Sequence, residues 1–363
     1  MERRQRFAAI EGVHDCSDPH QLTVALKRIT ARVGAVDRVF GVLEQLQLAV
    51  AEARDALGIE GMGAEIIRRF RDKSVMKQTL RAAGVPCARY CRAESLADAL
   101  GFANTVGYPL IVKPVDGLGS RSTTRVANER ALAAALAIMH PTSVRPVQIE
   151  EFVVGTEHSF ETVTIDGRHI WSSSTDYIPG PLEVLENPWI QYCVVLPREI
   201  ESLGRFVDVN HAALDALGMR TGLTHMEWFR RHDGTVAVNE VGARPPGVNI
   251  MPLMGLAHGV DMTQAWIRLM ALDAFEPPVR TRAAGTAFLR GQGRGTKVVA
   301  VHGVAQVLEE VRPYLVEFSP PRPGQPRGDG YEGEGYAIVA AATTVEVHRA
   351  LARLIRGIRV ELG

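Results

Sequence analysis

Glu227 and Glu240 are the residues of this sequence best placed to do chemistry as a pair. They lie in HMEWFRRHDGTVAVNEVGARPPGVN, His225 to Asn249. HMEWF and TVAVNEV carry strand-type residues, and Asp233-Gly234 is the dipeptide favoured by a two-residue hairpin turn with positive φ. Such a turn pairs His232 with Thr235, and the same register brings Glu227 opposite Glu240 on one side of the ribbon, their side-chain bases roughly 4.5–5.5 Å apart. Like charges so placed repel. A shared proton, a neighbouring arginine or a divalent cation would each relieve them, and two acidic oxygens with Arg244 close by suit Mg²⁺ holding a nucleotide phosphate. A register slip of one residue would instead make both glutamates ordinary exposed strand charges. His225, on the same strand face as Glu227, either touches substrate or packs.

The elements that must position this pair are spread along the chain. RDKSVMKQTLRAAGVPCARY, from Arg71, reads as a helix ended by Gly84 and Pro86, with Lys73 in its first turn, where the helix dipole disfavours a cation, so that the lysine either meets an anionic partner or is simply solvated. Tyr108 to Val112 is an apolar run suited to a buried strand, and Lys113 ends it before Pro114. The loop that follows, Asp116 to Ser122, concentrates glycine and hydroxyl residues, so its backbone N–H groups can wrap an anion. It is not the GxxxxGK[ST] phosphate loop, because its lysine precedes the glycines. VQIEEFVVGTEHSFETVTIDGRHI holds a strand with Glu150 and Glu151, a break at Gly155, Glu157 opening the next strand, and an Asp166-Gly167 turn. Two adjacent glutamates in an apolar strand are costly to bury unless paired. Residues 172–200 read as a loop that covers something, followed by a helix at about 199–217.

Composition bounds the rest. The 363 residues, 46% of them hydrophobic, suggest two or three domains. Lys+Arg and Asp+Glu both total 41, so net charge makes no case for nucleic acid or an anionic membrane. There is no signal-peptide run and no membrane-length apolar stretch, and the expected address is the cytoplasm. Cys16, Cys87, Cys91 and Cys193 match no redox or zinc spacing and read as small buried apolar residues. Gly61-Met62-Gly63 reads as a turn. Residues 1–70 alternate apolar runs (RFAAI, AVDRVFGVL) with helical patterns, a short α/β unit that lacks the strands of a full parallel sheet. From about 281 the chain alternates strands (AGTAFLR, KVVAV, YAIVAAA) with helices, as a small α+β domain would.

The ordered set of Lys73, IVKP with DGLGS, EEFVVGTE, and Glu227 followed by NEVGARPPG resembles the ATP-grasp superfamily, in its carboxylate-amine ligase type. The likeness runs from about Lys73 to Asp261. It implies an α/β and α+β architecture: a short N-terminal α/β domain (1–70), an ATP-grasp core (71–280) with a hinged lid subdomain at about 107–150, and a C-terminal α+β domain (281–363). It implies ATP and Mg²⁺. By resemblance, Lys73 and Lys113 neutralise ATP phosphates, and residues 116–123, including Gly117, Gly119 and Ser120, are the loop over them. Glu150 contacts the adenine amino group with the Glu151 to Val153 backbone beside it, and Glu157 holds the ribose. Glu227 and Glu240 ligate the metal, and Arg244 steadies the transferring phosphoryl and acyl-phosphate charge. Many members place a metal-binding asparagine where this chain has Gly242, and Asn239 is expected to point to the opposite face of its strand.

The expected activity is activation of a carboxylate as an acyl phosphate for attack by an amine, with loops 175–195 and 245–256 as substrate walls. The alternatives are a bicarbonate-activating carboxylase-like enzyme and a nucleotide-binding module without catalysis. The partners implied are a small-molecule carboxylate and amine, with no nucleic acid and no membrane. The residues are compatible with a homodimer but do not require one.

Overall fold

The computed structural model describes residues 7–115, 123–200 and 203–363. The N-terminal stretch enters as helices. Pro19–Val33, capped by Asp18, is followed by a 3₁₀ turn at Glu44–Leu46 and by helices Gln47–Leu57, Ala64–Arg71 and Lys73–Ala82. The run AVDRVFGVL, expected to contain a strand, stays outside every sheet. Most of its side chains remain partly exposed, and without a partner edge a short extended run has nowhere to satisfy its backbone.

Helix Lys73–Ala82 shows how sequence places cations. Asp72 is its N-cap, accepting from the backbone N–H of Ser74 at 2.8 Å and of Val75 at 3.0 Å. Lys73, Met76, Lys77 and Leu80 recur at helical spacing and are all buried. Met76 and Leu80 join the core, so the same face carries two lysines inward.

Next comes a four-stranded sheet of β1 (Tyr90–Ala93), β2 (Leu110–Pro114), β3 (Thr124–Val126) and β4 (Val147–Glu151), in the order β1-β4-β2-β3. Helices Leu96–Val106 and Glu129–Met139 cover one face, where Leu110, Val112, Val147 and Ile149 pack. Strand alternation then turns Ile111, Lys113, Gln148 and Glu150 to the other face.

The large sheet begins with β5 (Gly155–Ile165), β6 (Arg168–Ile178), β7 (Tyr192–Leu196), β8 (Gly222–Arg231) and β9 (Val236–Gly242). It continues with β10 (Ala283–Leu289), whereas β11 (Val298–His302) stands apart, and β12 (Leu315–Ser319) and β13 (Gly335–Ala341) rejoin it before β14 (Arg359–Leu362) pairs with β11. The order is β12-β13-β10-β7-β6-β5-β8-β9. Residues from 281 onward therefore do not close on themselves, because β10 hydrogen-bonds to β7 and continues the sheet that carries the hairpin.

The covering loop expected over 172–200 is mostly strand. Its successive residues Ser172 to Thr175 lie in β6 against β5, with Ser173, Ser174 and Thr175 buried, and only the segment around helix Pro181–Glu186 is left as a cover. Arg290 holds that segment, donating from Nη1 to the carbonyls of Val184 at 2.8 Å and Ile190 at 2.8 Å. The expected helix at 199–217 is Gly204–Leu217. It packs with Phe160, Met226 and Trp228 under the hairpin. Of the cysteines, Cys193 is buried, whereas Cys16 is exposed, correcting its reading as core. Among the described residues no helix is long and apolar enough to cross a membrane.

Candidate active site

The small sheet faces the β8–β9 end of the large one across a cleft, and the expected site residues within the described segments line it, except Arg244, which stands beside it. Glu227 and Glu240 are direct cross-strand partners. The route to that register differs from the sequence reading in two places. The hairpin turn holds three residues rather than two, closed by Arg231 and Thr235 (N to O 2.9 Å), with Gly234 at φ 77°. From that closure a regular ladder would set Glu227 against Asn239. One extra residue, Asn239, bulges out of β9 between the pairs Trp228–Val238 and Glu227–Glu240 and restores the facing glutamates.

The bulge also corrects the expectation for Asn239. Its side chain does not point to the opposite face: Nδ2 donates to Glu227 Oε2 at 3.4 Å and Oδ1 accepts from Lys113 Nζ at 3.4 Å. A carboxamide thus stands among the charges of the cleft, and it also hydrogen-bonds Glu157. Burial, then the charge of Glu227, pushes the Glu157 carboxyl well above the usual carboxylate range.

Glu240, Glu150 and Glu151 are each paired with cations. Lys73 Nζ donates to Glu240 Oε1 at 2.8 Å, and burial of Glu240 is outweighed by the charges of Lys73 and Lys113, which hold its pKa below the ordinary value. Glu150 is contacted by Lys113 Nζ at 3.0 Å, Lys77 Nζ at 3.6 Å and Gln148 Nε2 at 2.7 Å. Burial raises its pKa, but the two lysines more than offset this and bring it to about 2. Glu151, its neighbour on the other strand face, pairs with Arg89 Nε at 2.6 Å and Arg231 Nη2 at 3.2 Å. Those two pairings answer the cost of adjacent strand glutamates, and the second ties the small sheet to β8. A further tie joins Arg125 of β3 to Glu186 of the covering helix at 2.7 Å.

Arg244 follows β9 and lies beside the pair, its Nε and Nη2 donating to Glu44 Oε2 at 2.8 and 2.6 Å. Glu44 is 8% exposed, and its other oxygen pairs with Arg71. Burial lowers the Arg244 pKa, but Glu44, with the charges of Glu240 and Glu227, outweighs this and the net shift is upward.

His225 packs in a polar line rather than an apolar one. Its Nδ1 lies 2.8 Å from Oε1 of the fully buried Glu161, and its Nε2 lies 3.4 Å from the Tyr177 hydroxyl and 3.7 Å from Glu227 Oε1. Burial lowers its pKa, and hydrogen bonds to Glu161 and Glu227 carry it up to about 9.

The cleft brings together Lys73, Lys113, Glu150, Glu151, Val153, Glu157, Glu227, Asn239 and Glu240. Gly117, Gly119 and Ser120, expected over the phosphates, lie outside the described residues. Sequence reasoning missed Lys77, Gln148, Asn239, Glu161 and Glu44. Lys77 and Gln148 were within reach of it, since one lies four residues from Lys73 on a helix face and the other two from Glu150 on a strand face. Glu44 has no local signal.

A model of the ATP-grasp domain matches residues 78–248. The chain is 29% identical over 317 residues to the uncharacterized protein y4rH of Sinorhizobium fredii, which spans 83% of this chain and 63% of that one. It is 22% identical over 273 residues to the L-arginine-specific L-amino acid ligase of Bacillus subtilis, 73% of this chain and 65% of that one. The chain thus spans somewhat under two thirds of these relatives' lengths. Among solved structures, an L-amino acid ligase from Bacillus licheniformis superposes with a TM-score of 0.78 at 22% identity, over 95% of this chain and 85% of that one.

Proposed function

We propose, from the premise that residues 78–248 form an ATP-grasp domain, that this protein is an ATP- and Mg²⁺-dependent ligase joining a small-molecule carboxylate to an amine. The observation that carries the reading is the face-to-face pair Glu227 and Glu240 with Lys73, Lys113 and Arg244 gathered around it. Phosphoryl transfer asks a protein mainly for positioning and charge stabilisation, and this set provides both.

The donor set fits Mg²⁺, being two carboxylates held open toward a cleft that a nucleotide phosphate can complete. Among the described residues no group of three or more His, Cys, Asp or Glu is arranged to hold a metal ion. Bound there, the ion would supply charge neutralisation at the transferring phosphate.

In this reading a substrate carboxylate oxygen attacks the γ-phosphorus, the bond to the β-phosphate oxygen breaks, and ADP leaves. The amine nitrogen then attacks the acyl carbon, the acyl–oxygen bond breaks, phosphate leaves, and the nitrogen loses a proton. Lys73 and Lys113 exchange their present partners, Glu240 and Glu150, for phosphate oxygens. Glu150, with the backbone of Glu151 to Val153, receives the adenine, Glu157 the ribose, and Arg244 the charge of the acyl phosphate. Arg125–Glu186 and Glu151–Arg231 hold the small sheet down.

The test is release of ADP and phosphate from Mg²⁺-ATP over pools of acids and amines, with and without bicarbonate. Release requiring both an acid and an amine is expected. Release on bicarbonate alone would replace the ligase by a carboxylase, and tight ATP binding with no turnover on any pool would leave a nucleotide-binding module.

A further inference from the structure

Lys77 is fully buried in the helix that also carries Lys73, and it stands behind Glu150 rather than on the cleft surface that Lys113 and Glu150 share. Its Nζ donates to the carbonyl of Val238 at 3.0 Å and lies 3.6 Å from Glu150 Oε2. Burial lowers its pKa, and the charge of Glu150 only partly offsets this. Met76 and Leu80 on the same helix face pack into the core, so an apolar residue at position 77 would bury at less cost. A lysine there calls for a reason beyond packing.

The partners of Glu150 supply one. Lys113 Nζ and Gln148 Nε2 both lie on its Oε1, at 3.0 and 2.7 Å, and Lys77 faces its Oε2. Gln148 is fixed with its amide nitrogen toward Glu150, since its own Oε1 accepts from Ser74 Oγ at 2.7 Å. Lys113 lines the cleft and can turn to a phosphate, whereas Lys77 is held by a backbone carbonyl of β9 and cannot. Once Lys113 has turned, the partners left to Glu150, which is 3% exposed, are a neutral amide and Lys77. Without Lys77 it would take up a proton, because a buried carboxylate lacking a counter-charge neutralises itself.

That proton decides which base fits. A carboxylate can only accept, and adenine presents an amino donor at C6 where guanine presents an oxygen acceptor. A carboxyl group that keeps its proton can donate to the guanine oxygen instead. Resting on the assignment of the adenine to Glu150 in the ligase reading, we propose that Lys77 is a positioning residue: it remains as the counter-charge of Glu150 after Lys113 has moved to the phosphates, and so makes the site select adenine over guanine nucleotides.

The test measures ADP and GDP affinity by calorimetry on the full chain with Mg²⁺. Lys77→Met removes the charge and the hydrogen bond together, and Lys77→Gln keeps a donor for the Val238 carbonyl while removing the charge, so a folding defect in the first variant is separated from loss of the charge. Both should bind ADP more weakly and GDP more tightly than the parent, narrowing the preference for ADP roughly tenfold or more, as loss of one charge-assisted hydrogen bond would. Glu150→Gln should narrow it by itself, and adding Lys77→Gln to that variant should narrow it no further. A preference unchanged in both Lys77 variants while Glu150→Gln narrows it would overturn the role of Lys77 and leave the nucleotide assignment standing. A preference unchanged in Glu150→Gln, or absent from the parent, would remove the adenine from Glu150 and the proposal with it.

Discussion

Glu44 and Arg244 are joined by two hydrogen bonds to a single carboxylate oxygen, across a sequence separation of 200 residues. The N-terminal helices thereby reach the arginine beside the metal pair. With Arg71 on the other oxygen, one buried carboxylate balances two guanidinium groups.

Glu44→Ala would remove from Arg244 and Arg71 the buried carboxylate that they share, and breaking a buried pair from one side costs about 3 kcal/mol or more. The expected outcome is a drop in unfolding free energy of that order in urea titration, with a fall in kcat exceeding any change in the KM for ATP. A variant as stable as the parent would show that water replaces the carboxylate and that Glu44 does not position Arg244.

Glu240→Gln keeps the shape of the metal pair and removes one charge. Turnover should fall below detection, and the Mg²⁺ dependence of ADP affinity should vanish while metal-free ADP still binds, as read by calorimetry with and without chelator. Activity at the parental level would remove Glu240 from the metal site.

Lys113→Met should weaken ATP binding by tenfold or more. It also strips Glu150 of one of its two lysines, so part of the effect is structural. The double variant Lys113→Met with Glu150→Gln should regain stability in thermal melts but not affinity, and recovery of both would make Lys113 a purely structural partner.

The buried Glu150 charge predicts an acid limit. Its folded pKa of about 2 lies below the ordinary glutamate value of 4.5, so its contribution is present above the unfolded value and is lost as pH falls from about 4.5 through about 2. That contribution is on the order of 3 kcal/mol. Melting temperature should fall across this window, and Glu150→Gln should flatten the slope there.

Gly242 has room for a side chain: a Cβ built on it meets only the Arg244 side chain, at ordinary contact distances of 3.5 Å to Cγ, 3.7 Å to Nε and 3.9 Å to Cζ. Gly242→Asn should therefore fold normally and lower the Mg²⁺ concentration for half-maximal ADP release several-fold. A marked loss of stability would mean that the glycine is required for the close approach of Arg244.

How much of this was legible follows from the range of each interaction. The facing glutamates could be read because strand alternation and a turn dipeptide are local. They were nevertheless reached through two offsetting differences, a turn one residue longer and a bulge of one residue at Asn239. Asn239 itself was misplaced, since a bulge leaves no mark in hydrophobic pattern. Helix Lys73–Ala82 could be read from its period, yet Lys77 was passed over because a lysine amid apolar residues looks solvated until Glu150 is set against it. Glu44 lies beyond any local rule, because its partner is chosen by tertiary packing alone. The continuity of β10 with β7 was hidden for the same reason: strand segments can be read from sequence, but their neighbours cannot.

That continuity bears on how the protein can be handled. The stretch that matches the ATP-grasp domain, 78–248, includes β7 but not β10, whose backbone pairs along β7 from Tyr192 to Leu196. An excised fragment would present that row of donors and acceptors bare, an invitation to aggregate, and would also lack Glu44, Lys73 and Lys77. The unit that is recognisable in sequence is therefore smaller than the unit that can fold, and dissection of the reaction has to proceed by substitution within the full chain rather than by truncation.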